Sequence, residues 1–392
     1  MDPTLTDTID MHGDPLAFRF REGSAPSPLV GHGRDVIKVE ARQMALHQKE
    51  AVVTDGTKGA AWRLSSDEGT HLKGTDLAPF PLGFFNAGMQ GDLYRRLRKL
   101  AAERGIALDQ LEIELINHYW LTGSFIHGTG EGHAEPPDIE VRVRSAASRD
   151  KVEALVAAAL DASPAIAFAR TPLMGNTFAL YINGRRREVS GVATSPAADV
   201  ADPYRVHGKA PRPLDPNGRS DLIVKPGVTE QGTPQLAAPT VTNKLIRNIH
   251  GLGRPLGDGL LKVDTWLGMP GVSHFHLTSD ESGKEAAPSG LALLSAGIAF
   301  CYMTQLSRYI ENMKMNIRAV RLVQFNPYIA GPKATVEPID THLFLNGEAP
   351  EDTHLQLLTI AARTCYLHAA AKTPTEPKVR IVHNGEAIPK AA

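Results

Sequence analysis

Two residues of this 392-residue chain have the chemistry of a nucleophile and lie in apolar stretches with helical spacing: Cys301 and Cys365, the chain's two cysteines. The first apolar stripe consists of Leu294, Ile298, Cys301 and Gln305. The second consists of Leu358, Ala361 and Cys365. Residues with this spacing share one face of a helix. If the two helices pack against each other, the sulfur atoms meet, and a thiol pair of this kind supports nucleophilic or disulfide chemistry.

A packing role competes with this interpretation, because a free cysteine behaves as a small buried hydrophobic residue. Taken singly, each cysteine is more typical of core packing than of catalysis. Two cysteines cannot form a disulfide framework for a chain of this size, nor a zinc site of cysteines alone. They are typical of free thiols or of a transient redox pair in a reducing compartment. The sequence predicts no cofactor and no metal.

Composition excludes several functional classes. The chain is 42% hydrophobic and 22% charged, with a formal net charge of −1. These values are typical of a soluble globular protein and give no basic field for nucleic acid or for an anionic membrane. The first 20 residues lack the pattern of a signal peptide, and no apolar run approaches the roughly 18 residues that span a bilayer. We therefore expect a cytoplasmic protein without nucleic-acid or membrane partners.

Two segments of the chain are similar, and each introduces the same series of elements. The octamers "WRLSSDEG" (62–69) and "FHLTSDES" (275–282) have four identical positions. Each leads into a long helix, two strands, a second helix and a final strand. An internal repeat of this kind predicts two tandem copies of one α+β unit. The predicted boundaries are an extended arm at 1–32, a cysteine-free unit at 33–192, a connector rich in Pro and Gly at 193–257, and a unit carrying both cysteines at 258–392.

Alignment of the two long helices shows which positions of the first unit correspond to the two cysteines of the second unit. Matching 87–88 to 296–297 puts Asp92 opposite Cys301, and the partner position falls within 161–163. We expect Asp92 to lie on a solvated helix face. The first unit therefore lacks thiol chemistry of its own.

The second unit resembles the OsmC/Ohr family, cysteine-based peroxidases that reduce organic hydroperoxides. The segment "APSGLALLSAGIAFCYM" (287–303) is similar to the helix that presents the family's peroxidatic cysteine, which implies that role for Cys301. The segment "AARTCYLHAAA" (361–371) is similar to the surroundings of the resolving cysteine, which implies that role for Cys365. The family forms intertwined homodimers. The resemblance therefore implies two tandem OsmC-like units, each a strongly bent antiparallel sheet wrapped around two long helices, joined as an intrachain pseudo-dimer.

The residues that activate the thiolate differ from the family pattern. Family peroxidases use an arginine held by a glutamate early in the long helix. That glutamate position falls at 291–292, where the chain has Leu and Ala. The arginine position is His276 in the second copy and Arg63 in the first. A cation beside a thiol favours the thiolate, so Arg63, His276 and His274 are the candidates for this role.

Two reactions remain open. In the first, Cys301 attacks the O–O bond of an organic hydroperoxide, Cys365 resolves the sulfenic acid to a disulfide, and an external thiol reductant completes the cycle during oxidative stress. The predicted apolar lining consists of Phe84, Phe85, Phe300 and Met303. In the second, Cys301 and a nearby histidine act in hydrolase or lyase chemistry on a small organic substrate, without redox. Further association into a homo-oligomer is compatible with both.

Overall fold

The computed structural model describes residues 7–21, 34–55, 59–172, 176–203, 211–228 and 246–389. Its α-helices are α1 (Pro81–Glu103), α2 (Arg149–Asp161), α3 (Pro164–Arg170), α4 (Gly290–Asn312), α5 (Glu351–Thr364) and α6 (Tyr366–Lys372). The strands of the first half are β1 (Ala17–Arg21), β2 (Arg34–Gln43), β3 (Lys49–Thr54), β4 (Ala61–Ser66), β5 (Gln110–Thr122), β6 (Glu131–Arg144), β7 (Thr177–Ile182), β8 (Arg185–Arg187) and β9 (Ala193–Thr194). Those of the second are β10 (Ile223–Val228), β11 (Arg247–Gly257), β12 (Leu260–Leu267), β13 (Ser273–Asp280), β14 (Ile317–Ile329), β15 (Thr335–Val336), β16 (Asp340–Gly347), β17 (Lys378–His383) and β18 (Glu386–Ala387).

Within the described residues, the strands form two sheets. Both sheets have the same strand order, but where one sheet has a strand from the first half of the chain, the other has the equivalent strand from the second half. One sheet runs β1-β4-β3-β2-β14-β16-β7-β8, with β15 beside β14 and β9 beside β7. The other runs β10-β13-β12-β11-β5-β6-β17-β18. Each sheet takes a three-stranded meander with an edge strand, and a separate pair of strands, from one half, and two strands of the other half lie between these two groups. The prediction of an α+β fold is confirmed, and each half needs the other to complete its sheets.

Two segments contain more regular structure than their composition predicted. Strands β9, β10 and β11 all fall in the segment predicted as a connector, 193–257. The described part of the predicted arm, 7–21, includes β1, which pairs antiparallel with β4. The rest of the predicted arm, 1–6 and 22–32, lies outside the described residues. The division into domains stays a prediction.

The long helices α1 and α4 pack against each other between the two sheets. Both contain 23 residues. Glycines of both helices allow their close approach: a Cβ at Gly88 would lie 2.4 Å from the backbone N of Leu294, and a Cβ at Gly297 would lie 2.7 Å from the backbone N of Phe85. Side chains at these two glycines would push the helices apart, so glycine is required for the close crossing.

Helix α4 is apolar on all sides because it is covered on all sides. It is the one described helix with the length and hydropathy to cross a membrane, and the whole of its most apolar 18-residue window is buried inside the protein. A helix with this composition is typical of the core of a large protein. Its first turn is capped by Ser289, whose hydroxyl accepts a hydrogen bond from the backbone N–H of Ala292 at 3.1 Å.

The second helix of each half is broken, at one residue in the second half and at two residues in the first. Helix α5 ends at Thr364 and α6 begins at Tyr366, so that Cys365 lies at the break with an extended backbone. In the first half, α2 and α3 break in the same way, and Ser163 directly precedes α3. The sequence had predicted one continuous helix around Cys365. The break turns the side chain of the residue at the junction toward the neighbouring long helix.

Candidate active site

The two cysteines lie against each other in the interior. The Sγ atoms of Cys301 and Cys365 are 3.3 Å apart, and both are free thiols. Cys301 comes from the middle of α4, and Cys365 comes from the junction of α5 and α6. The stripe spacing anticipated this meeting, although the break in the second helix contributes to it. A bonded pair needs Sγ atoms about 2.05 Å apart, so a small shift of either side chain would close a disulfide.

The environment separates the acidities of the two thiols. Burial raises the pKa of Cys301, and its neighbour Cys365 adds to the increase. Burial acts in the same direction on Cys365, yet the hydrogen bond with Cys301 and the charge of His368 outweigh it and lower the pKa of Cys365. The environment therefore favours the thiolate at Cys365 over the thiolate at Cys301.

His368 is a functional candidate that the sequence analysis missed. It lies three residues after Cys365 in α6, it is 1% exposed, and its charge and side chain lower the pKa of Cys365. Its ring packs on Tyr302, with 4.8 Å between centroids. A Cys-x-x-His spacing on one helix face was the signal that could have identified it. His368 is positioned to hold a thiolate at Cys365.

A cavity of about 390 Å³ leads to Cys301 but not to Cys365. Cys301 is 3% exposed and contributes to its wall, whereas Cys365 is fully buried behind it. The apolar lining includes Phe80, Leu82, Leu121, Ile249, Leu267 and Val272. The polar lining includes Glu68, His71, Asp76, Arg247, Thr304, Gln305, Arg308 and Tyr366. A small organic molecule in this cavity would reach the Cys301 sulfur first.

The end of the first octamer supplies a carboxylate to this site. The Glu68 carboxylate accepts a hydrogen bond from the Thr304 hydroxyl, one turn after Cys301 in α4. The fully buried Lys49 ammonium lies 3.4 Å from it. The negative charge of Glu68 contributes to raising the pKa of Cys301. The site is thus built from both halves of the chain, with the thiols from the second half and this carboxylate from the first.

Arg63, His274 and His276 are not brought to Cys301. On β4, Trp62 and Leu64 face the core, so Arg63 points to the opposite face of the sheet, where its guanidinium binds the Glu50 carboxylate at 2.8 Å.

The two histidines are on the corresponding outer face of the other sheet. On β13, Phe275 and Leu277 face the core, so His274 and His276 face outward and share Asp264 at 3.3 and 3.6 Å. The alternation of strand side chains places all three predicted activating residues away from the thiols. The proximity expected from the repeat register was wrong.

The residues that we expected to form the apolar lining of the site also lie elsewhere. Phe84, Phe85, Phe300 and Met303 are buried in the helix layer and do not line the cavity. Phe84 and Phe300 meet edge to face with centroids 5.4 Å apart, across the α1–α4 contact. These side chains hold the two long helices together, and the cavity lies on another face of α4.

The first half contains a redox-inert counterpart of the thiol pair. Ser163 donates a hydrogen bond to the Asp92 carboxylate at 2.6 Å, and the backbone N–H of Ala165 donates at 3.1 Å. Arg96 also binds Asp92, at 2.9 Å. Asp92 is 1% exposed, so the expectation of a solvated helix face was wrong. A hydrogen bond between Asp92 and Ser163 occupies the junction that the two thiols occupy in the second half.

Comparisons with known proteins leave the family unassigned. No protein-family model and no curated protein matches the chain. One matching solved structure is an OsmC-like hydroperoxide resistance protein from Jannaschia sp. CCS1, which is 20% identical over 33% of this chain and 81% of that chain, with a TM-score of 0.20. In the described part of the chain, no group of three or more His, Cys, Asp or Glu side chains could hold a metal ion.

Proposed function

We propose that this protein is a two-cysteine thiol peroxidase that reduces organic hydroperoxides. The observation that carries the proposal is the pair of free thiols 3.3 Å apart, of which Cys301 alone faces a cavity large enough for a small organic substrate. Cavities that bind small molecules run from roughly 300 to 1,000 Å³. The apolar lining favours an organic hydroperoxide over hydrogen peroxide.

The thiol pair can supply both the nucleophile and the proton. In the singly ionised pair, the Cys301 thiol transfers its proton to the Cys365 thiolate and becomes the nucleophile. The Cys301 sulfur then attacks the terminal oxygen of the substrate, the O–O bond breaks, and the leaving alkoxide takes the proton from Cys365 to form the alcohol. The products are a sulfenic acid on Cys301 and a thiolate on Cys365, next to His368.

Resolution follows with the same two atoms. The Cys365 thiolate attacks the sulfenic sulfur, the S–S bond forms, and hydroxide leaves and is protonated to water. Two equivalents of an external thiol then reduce the disulfide by exchange and restore both thiols. Electrons balance, because the hydroperoxide gains two electrons and the thiol donor loses two.

The alternative of a non-redox cysteine hydrolase or lyase loses the histidines that it required. His274 and His276 are on the outer face of their sheet, bound to Asp264. His71 lines the cavity but is exposed on the surface, without a carboxylate hydrogen-bonded to it among the described residues. The alternative retains one distinctive consequence, which is that Cys365 would be dispensable.

We also propose that the chain is a tandem pair of OsmC-like units assembled as a pseudo-dimer. The exchanged strand order of the two sheets supports this, as do the reciprocal contacts of Gly88 and Gly297. A further observation in favour is the equivalence of the Asp92–Ser163 contact and the Cys301–Cys365 contact.

The function is tested by treating the reduced protein with one equivalent of cumene hydroperoxide and measuring intact mass and disulfide-linked peptides. We expect a Cys301–Cys365 disulfide in the native chain. We expect a dimedone-trappable sulfenic acid in Cys365→Ser, and no hydroperoxide consumption in Cys301→Ser. The absence of both a disulfide and thiol-dependent turnover would refute the proposal. Full activity in Cys365→Ser, with a substrate adduct on Cys301, would instead favour the non-redox enzyme.

A further inference from the structure

Two arginines line the cavity, and neither has a carboxylate partner among the described residues. The Arg308 guanidinium lies 4.0 Å from the centroid of the Phe125 ring and donates to the Gln305 amide oxygen at 3.2 Å. Arg247 contacts the sulfur of Met269. Neither guanidinium forms an ion pair with another residue of the described chain. Both therefore retain N–H donors for a ligand in the cavity.

Each of the two carboxylates that line the same cavity has a lysine partner. Glu68 has Lys49 at 3.4 Å. Asp76 has Lys225 at 3.0 Å and also accepts a hydrogen bond from the Ser273 hydroxyl. Arg247 and Arg308 are therefore the cationic side chains of the cavity lining that form no ion pair within the described residues.

The two guanidiniums act on each other and on the thiol site. Burial lowers the pKa of Arg308, the Glu68 carboxylate opposes this, and the charge of Arg247 adds to the lowering. Burial raises the pKa of the Tyr366 hydroxyl, and the charges of Arg247 and Arg308 oppose this increase. Tyr366 is the residue next to Cys365. Two like charges in one partly buried cavity repel each other, and an anion bound between them relieves that repulsion.

We propose that Arg247 and Arg308 form a carboxylate subsite, so that the substrate is an organic acid with its reactive group several bonds from the acid group. Guanidinium forks match the planar carboxylate and bind it with paired hydrogen bonds. Arg308 follows Cys301 by two helical turns, about 10 Å along the axis of α4. The assignment of a hydroperoxide as the reactive group rests on the proposed function, whereas the carboxylate subsite itself does not.

The apolar part of the cavity lining fits the middle of such a molecule. Phe80, Leu82 and Leu121 are apolar and line the same cavity as Cys301 and Arg308. A hydrocarbon chain would lie against them, with its carboxylate at the arginines and its hydroperoxide at the thiol. Short hydroperoxides that carry the acid group on the adjacent carbon could not reach both ends.

Binding of an unreactive acid tests the subsite separately from any reaction. Isothermal titration of the reduced chain compares decanoate with decanol, which has the same chain and no charge. We expect decanoate to bind about tenfold more tightly, a difference of about 1.4 kcal/mol. The double variant Arg247→Gln/Arg308→Gln should abolish this preference, and Arg308→Lys should retain part of it. The matched control Arg318→Gln, in an exposed ion pair with Glu348, should preserve it.

Several results would overturn the subsite. These are equal binding of decanoate and decanol, no binding of decanoate, or a preference that survives in the double variant. If the double variant does not fold, Arg247→Gln alone must reduce the preference.

Turnover separates this proposal from the proposed function. A long-chain acid hydroperoxide should have a higher kcat/KM than its methyl ester, and the double variant should bring the two values together. If the chain binds decanoate through the arginines but reduces neither hydroperoxide, the peroxidase function fails and the subsite stands. If it reduces both equally and binds both probes equally, the subsite fails and the function stands.

Discussion

Oxidation of the thiol pair should stabilise the whole protein against unfolding. The cysteines are 64 positions apart in the chain, so a disulfide would close a loop of that length in the unfolded state. The loss of chain entropy for such a loop corresponds to roughly 4 kcal/mol at 25 °C. Strain in the native state should subtract little, because the sulfur atoms already lie 3.3 Å apart and need to approach by only about 1 Å. With an unfolding entropy of about 2.1 cal/mol/K per residue, this corresponds to an increase in Tm of about 5 °C.

The assay compares the reduced and the oxidised chain in thermal and urea unfolding, with Cys365→Ser treated identically. The oxidised native chain should unfold at the higher temperature, and the serine variant should not shift. A disulfide verified by mass that leaves Tm unchanged or lowers it would refute the reasoning, because the thiols would then not be held in positions ready to bond. A shift of the same size in Cys365→Ser would assign the stabilisation to another oxidation product.

Two further predictions address the partners of the thiols. Replacing His368 with Asn removes a charge that lowers the pKa of Cys365. That pKa should therefore rise, and the thiolate fraction at neutral pH should fall. In stopped-flow oxidation, the pH at which disulfide formation reaches half its maximal rate should move upward. An unchanged pH profile would exclude the role of His368. Replacing Asp92 and Ser163 together with cysteine should create a second thiol pair, so that oxidation removes four hydrogens from the chain, about 4 Da, rather than two. Cysteines at these positions that remain reduced under oxidant would contradict the equivalence of the two junctions.

Much of the fold followed from the pattern of the sequence. The octamers at 62–69 and 275–282 predicted the repeat, and β4 and β13 occupy equivalent places in the two sheets. The apolar stripes that include Cys301 and Cys365 predicted facing helices, and the sulfur atoms meet. The prediction that the two stripes face each other succeeded because helical periodicity is a local property that tertiary contacts reinforce.

The residues around the thiols followed less well, because they come from distant segments. Arg63 and His276 were chosen from the repeat register, yet the alternation of strand side chains turns both to the outer faces of their sheets. The apolar residues Phe275 and Leu277 on the same strand already indicated which face of the strand is buried. That alternation by itself indicates that His274 and His276 lie on the opposite face of the strand, away from the buried thiols.

The sequence by itself determined the α+β class and the two apolar stripes that place the cysteines on facing helices, since these depend on local spacing and residue type. Only the tertiary structure decided what surrounds them. Glu68 and Arg247 reach the cavity from elements far from Cys301 in the chain, because each sheet is completed by strands of the other half. The crossing of α1 and α4 at two glycines and the break at Cys365 then decide which thiol faces the cavity and which lies behind it.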